Sequence, residues 1–209
     1  MYQSQSVHND IVKRVKKLKR GAVFFPVAFS GMGTEGSIYV SLMRLEKEGF
    51  IIRLSRGIYL FPKTDPEIGV LRPSINSIAE ALADRDKVRI LPTGSMAQLQ
   101  LGISTQVPMK AVYLTDGIPK KIKVGKGEII FKKASPKKLA AKGKVSGLVI
   151  TALDELGKDN VTNDVLKQIY KALRDEKPAT IKEDAKVAPA WIRKLLLNYI
   201  NNEEGNMTG

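Results

Sequence analysis

Thr34, Glu35, Ser37, Tyr39, Arg44 and Lys47, followed by Arg53 and Arg56, crowd into one short stretch of the chain. Their types suit contact with a nucleic acid. Hydroxyl, carboxylate and phenol groups exchange hydrogen bonds with base edges, while lysine and arginine neutralise phosphates. Glu35 is open to two readings, accepting from a cytosine amine or repelling a phosphate. Tyr39 is open to two as well, touching a base or packing beneath a neighbouring hairpin. Lys121, Lys123, Lys132 and Lys133 form a second, purely cationic set interleaved with Ile130 and Phe131. On paired strands that alternation gives one largely apolar and one largely cationic face, suited to DNA, RNA or an acidic partner. The competing reading is solvated strand edges, where lysines block aggregation.

Other chemistries lack residues. The 209-residue chain has no cysteine and a single histidine, His8 in a polar N-terminal stretch. Disulfides, thiolate nucleophiles, Cys/His zinc sites and Ser-His-Asp triads are excluded or starved of ligands. Asp116, Glu128 and Lys132 resemble a metal-dependent nuclease set only faintly. Glu128 and Lys132 are four positions apart, about two pleats along a strand, and Asp116 beside Gly117 suits a turn. No Gly-x4-Gly-Lys-Ser/Thr stretch exists, and Gly125-Lys126-Gly127 reads as a hairpin turn. No catalytic residue, metal or cofactor is therefore expected, and the protein is read as a non-enzyme.

Charge supports the nucleic-acid reading. Thirty-five Lys and Arg oppose 21 Asp and Glu, a net charge of +14. Residues 1–72 carry +6, residues 73–109 are neutral, residues 110–144 carry +9 and residues 145–209 carry −1. A device for solubility has no need to cluster in two blocks. Apolar runs such as Ala22–Phe29 fall far short of the ~20 residues a membrane helix needs. No basic-then-apolar leader opens the chain. A cytoplasmic location without a membrane partner is the expectation.

The elements that position the first set are legible. Ile11, Val15 and Leu18 recur at helical spacing and predict a helix over Ser6–Lys19 with a basic outer face. Pro26 and Ser30–Gly33 frame a short second helix or turn. Thr34 can cap a third helix with the buried stripe Ile38, Leu42 and Leu45, ended by Gly49. Phe50–Leu54 and Ile58–Phe61 read as strands joined by Ser55-Arg56-Gly57, where Gly57 accepts a positive φ. Three helices and an arginine-tipped hairpin give the order of a winged helix-turn-helix.

Pro62–Pro73 reads as a joint. Beyond it, Ser77 and Glu80 suggest a capping box for a helix through Asp84. Val88–Leu91 suggests a strand, and Ser95–Leu101 a helix ended by Gly102. Strands follow at Ala111–Thr115, Lys121–Val124 and Glu128–Lys132, then helices at Ser146–Leu156, Thr162–Arg174 and Pro189–Ile200. Trp191 belongs with Leu195 in a core. Met1–Gln5 and Asn201–Gly209 read as loose polar ends.

The stretch from Arg44-Leu45-Glu46 to Gly57-Ile58-Tyr59 resembles the N-terminal winged helix of AbiEi-type antitoxins of type IV toxin–antitoxin (abortive-infection) systems. Pro92-Thr93-Gly94-Ser95, Leu101-Gly102-Ile103-Ser104-Thr105-Gln106-Val107-Pro108 and Tyr113-Leu114-Thr115-Asp116-Gly117 are similar to the second domain of that group. The resemblance spans about residues 7–140, and the Leu101–Pro108 block is its most specific part. It implies a DNA-binding autorepressor of its own operon. It also implies an antitoxin that counters a nucleotidyltransferase-like toxin without a stable complex.

The sequence thus leads to an α+β protein with two domains. Residues 1–68 form the winged helix-turn-helix, and residues 69–209 a mixed α/β antitoxin domain with C-terminal helices. Double-stranded DNA, its own operator, is the expected partner. The alternatives are a winged-helix regulator without a toxin partner, or an RNA- or tRNA-binding factor.

Overall fold

The computed structural model describes residues 2–207, with side chains described for residues 7–202 apart from Lys137. It is a mixed α+β fold dividing into two compact units, Met1–Leu82 with Ile122–Lys126, and Ala83–Lys121 with Gly127–Gly209.

The first unit opens with α1 (Tyr2–Lys16), which buries Ile11 and Val15 completely. The helix starts and stops earlier than its stripe predicts: residues 17–22 turn instead, with Gly21 at φ 91°. Strand β1 (Val23–Phe24) and a 3-10 turn over Pro26–Phe29 follow. α2 (Glu35–Lys47) then buries Ile38, Ser41, Leu42 and Leu45. Each large apolar side chain removed from water there contributes about 1.5–3 kcal/mol. Gly49 terminates α2 at φ 70°. Its N–H donates to Glu46 O at 3.0 Å while the Phe50 N–H reaches Leu45 O at 2.9 Å. This paired closure satisfies carbonyls that the helix end would leave orphaned.

Strands β2 (Ile52–Ser55) and β3 (Ile58–Leu60) complete an antiparallel sheet of order β1-β3-β2. Ser55 pairs with Ile58, so the hairpin tip is Arg56-Gly57 alone, one residue shorter than the sequence suggests. Gly57 supplies the required left-handed conformation at φ 71°. The register shifts by one residue between Arg53 and Ser55. Pro62–Pro73 is not a plain joint. It holds a hairpin of β4 (Lys63–Asp65) and β5 (Gly69–Leu71), closed by the Asp65 carboxylate accepting the N–H groups of Glu67 (2.9 Å) and Ile68 (3.1 Å). α3 (Ile75–Asp86) follows, and its cap is Ser74 rather than Ser77, since Ser74 Oγ accepts the Ser77 N–H at 3.0 Å.

A four-stranded sheet is formed by β6 (Ile90–Pro92), β7 (Lys110–Thr115) and β9 (Gly127–Lys133) of the second unit with β8 (Lys120–Val124), whose residues 122–124 group with the first unit. The strand order is β6-β7-β9-β8, with β7 and β9 parallel. Ala111, Tyr113, Ile129 and Phe131 point to one buried side, where the Tyr113 and Phe131 rings lie 5.9 Å apart.

Helices α4 (Gly94–Gln100), α5 (Lys144–Leu156), α6 (Asn163–Leu173), α7 (Pro178–Ala185) and α8 (Ala190–Met207) share a second core. Val149, Leu153, Ile169, Ile181, Ile192 and Leu196 lie at its centre, with Trp191 and Leu195 half-buried against it. The ends expected to be loose are helical where described. α1 begins at Tyr2 and α8 runs to Met207, while Met1, Thr208 and Gly209 lie outside the described residues. Among the described residues, no helix is long and apolar enough to cross a membrane.

Candidate nucleic-acid interface

Thr34 stands at the N-cap of α2, and its Oγ1 accepts the Ser37 N–H at 3.2 Å. The Ser37 hydroxyl donates back to Thr34 O at 2.8 Å. These two candidates therefore fix where α2 begins, with Glu35 in its first turn complementing the helix dipole. Gly33 lets α1 approach that start. A Cβ at this position would meet Ser37 Oγ at 2.7 Å and a Val7 methyl at 2.8 Å.

The outer face of α2 carries Glu35, Tyr39, Val40, Met43, Arg44 and Lys47, all exposed. They alternate with the buried stripe Ile38, Ser41, Leu42 and Leu45 at spacings of three and four, so one helix divides cleanly into a packed side and a free side. Tyr39 is 42% exposed, so it is not packed away beneath the hairpin. Sequence reasoning passed over Val40 and Met43. Both lie on the same exposed side of the helix as Tyr39 and Lys47.

Arg53 on β2 and Arg56 at the tip are exposed. Tyr59, the partner of Arg53 across the β2–β3 pair, shares a core cluster with Ile38, Leu42 and Leu45 of α2. Burial pushes the Tyr59 hydroxyl above the ordinary tyrosine value; Arg53 draws it down, whereas Glu46 and Tyr39 push it up further. Charges on α2 and β2 thus act on one buried phenol. Arg14 and Lys16 of α1, and Lys17 and Lys19 in the turn that follows it, are exposed. Arg20 has an internal task, donating to Pro62 O at 3.1 Å and lying 4.8 Å from the centre of the Phe61 ring.

The second cationic set does not share one face. Lys132 and Lys133 are successive residues of β9 and point to opposite sides of the sheet. Lys133 Nζ donates to Asp116 O at 2.7 Å. Lys120 lies over the Phe131 ring at 5.2 Å, on the buried side, which leaves Lys121 on the opposite side with Lys132. Lys123 follows Lys121 by strand alternation and is exposed. Lys110, also exposed, begins β7 opposite Glu128. The Asp116 carboxylate accepts the Arg89 N–H at 2.9 Å, a long-range tie between the bend after β7 and the residue before β6. Among the described residues, no three His, Cys, Asp or Glu side chains gather to hold a metal.

The helical core contains a polar knot of a different kind. Asp184, buried on α7, accepts from the Lys142 N–H (2.7 Å), the Gly143 N–H (2.8 Å) and the Ser146 hydroxyl. Glu176 accepts the Val145 N–H at 2.9 Å. The start of α5 is thereby capped from distant sequence, a structural role no local pattern announces.

Among solved structures, the RV2827C protein from Mycobacterium tuberculosis is similar over 94% of this chain and 81% of that one, at 11% identity and a TM-score of 0.43. No curated protein matches the sequence. A family model described as "Family of unknown function (DUF6088)" matches residues 10–181.

Proposed function

The chain belongs to the DUF6088 family, whose function is unknown, and on its own residues we propose that it is a DNA-binding transcriptional repressor of the winged helix-turn-helix type. The carrying observation is the free face of α2, with Tyr39, Arg44 and Lys47 exposed beside a hairpin whose Arg53 and Arg56 are also exposed. On this reading α2 enters a major groove, and the β2–β3 hairpin is the wing on the adjoining phosphates. Arginine suits that task, because its planar fork grips phosphate oxygens in pairs. Exposed lysines of α1 neutralise further phosphates and release counterions.

The resemblance of residues 92–95 and 101–108 to AbiEi-type antitoxins extends the proposal. The protein represses its own operon in the cytoplasm and counters a nucleotidyltransferase-like toxin, without a stable complex with it. The second unit is assigned to that counteraction. An adjacent reading frame resembling a nucleotidyltransferase separates this role from that of a regulator without a toxin.

The direct test is binding of the full chain to a duplex from upstream of its own gene, across about 50–200 mM salt. Each phosphate contact adds about −0.9 to the slope of log affinity against log salt. A steep negative slope is expected. A flat one refutes the DNA-binding mechanism.

A further inference from the structure

Three large apolar side chains stand on the free face of α2: Tyr39 is 42% exposed, Val40 44% and Met43 48%. Spacings of one, three and four place them on adjoining rows, away from the buried stripe. Their exposure is not explained by packing. The same helix buries Ile38, Leu42 and Leu45 almost completely, so apolar residues were not lacking a core. Nor does the surrounding surface suit a protein partner's apolar face. Arg44 and Lys47 continue the same side of the helix, and Arg53 and Arg56 lie on the hairpin that follows, all exposed. An apolar patch edged by cations needs an occupant with apolar points inside a strongly anionic frame.

We infer that Val40 and Met43, with the ring of Tyr39, read thymine 5-methyl groups in the major groove. The claim rests on the DNA-binding reading above and deepens it by naming the bases. Thymine is the base that presents a methyl group to the major groove, and apolar side chains recognise it by contact alone. At the helix start the Thr34 hydroxyl accepts the Ser37 N–H and the Ser37 hydroxyl donates to Thr34 O, so both are tied into the cap. Arg44 and Lys47, one turn further on, supply phosphate contacts that hold the helix in register.

Deoxyuridine isolates the methyl group, because it keeps every hydrogen-bonding atom of thymine. Duplexes retained by the full chain from a random double-stranded pool at about 150 mM salt are resynthesised with each thymine replaced by deoxyuridine. Removing a contacted methyl should weaken binding about three- to fivefold, the equivalent of one buried methyl group. Val40→Ala and Met43→Ala should then bind thymine and deoxyuridine duplexes more nearly alike. Both positions are exposed, so their melting temperatures should match the parent. If nothing is retained from the pool, the DNA-binding reading falls and this inference with it. If duplexes are retained but lack thymine, or bind equally with deoxyuridine, the DNA-binding reading stands and methyl recognition is overturned.

Discussion

The outer face of α2 and the capped start of α5 are both helix beginnings, yet they are made in opposite ways. α2 begins at its own Thr34, three residues from the Ser37 amide it accepts, and leaves one side free. α5 begins at partly buried residues, and its first amides are satisfied by Asp184 and Glu176, 41 and 31 residues away. The first arrangement keeps the packed side of the helix apart from the exposed side, where the proposed binding residues stand. The second makes these polar groups depend on two carboxylates distant in sequence, Asp184 above all. Substitutions on the free face of α2 and at the exposed hairpin arginines should therefore move binding without moving stability, and substitutions at Asp184 should do the reverse.

The largest effect is expected at Asp184. Asp184→Ala strips partners from two partly buried backbone N–H groups and the buried Ser146 hydroxyl. Leaving such donors unsatisfied costs about 1–3 kcal/mol each before relaxation, so a loss of about 2–4 kcal/mol is expected in urea denaturation. Affinity of the folded protein for duplex DNA should stay within about twofold, a free-energy difference below 0.5 kcal/mol. A stability loss under about 0.5 kcal/mol would place Asp184 among ordinary surface positions.

The converse experiment is the double variant Arg53→Ala, Arg56→Ala. Two phosphate contacts should be lost, lowering affinity about 10- to 100-fold and flattening the salt slope by about two. The melting temperature should not change, because both side chains are exposed. Full affinity in this variant would remove the hairpin from the interface.

A smaller effect on DNA separates the two cationic surfaces. Lys121→Ala, Lys123→Ala and Lys132→Ala together should change operator affinity by about threefold or less, under 1 kcal/mol. The triple variant should nonetheless lose protection in a toxin-rescue assay. Lys133→Ala alone should protect fully, since Lys133 lies on the other side of β9 and donates to Asp116 O. Unchanged protection by the triple variant would exclude this face from the antitoxin role.

Local signals were the legible ones. Thr34, the stripe Ile38-Leu42-Leu45 and Gly49 each act within a few residues, and α2 lies where they predict it. The strands β7, β8 and β9 were also placed closely by alternation. Their arrangement was not. That β7 pairs in parallel with β9, leaving β8 outside, depends on which strands meet in space. α7 escaped notice because only Ile181 and Ala185 give it a buried apolar rhythm, and Pro178 before them resembles a break. β1 is too short for any alternation, and β4–β5 hid behind Pro62, Pro66 and Pro73, residues that mark a hairpin's ends and tip as readily as a linker. At the interface, residue type drew attention to polar side chains and away from Val40 and Met43. Spacing alone would have included them.

The smallest expected effect tests whether ion pairs matter where packing does not. Asp86 holds Arg85 at 2.7 Å and also pairs with Lys120. The hydrogen bond from Arg85, then that from Lys120, holds its carboxyl below the usual carboxylate value against a partial cost of burial. A group whose folded value is depressed adds stability above its unfolded value and loses it as pH falls through the folded one. The wild-type protein should therefore exceed Asp86→Asn in stability at neutral pH, by under about 1 kcal/mol because the pair is partly solvated. The gap should narrow from about pH 4 downward and close once the carboxyl is protonated in both states. A gap that persisted at low pH would mean that Asp86 acts through packing or neutral hydrogen bonding. The contrast with Asp184 would then rest on the number of partners rather than on burial.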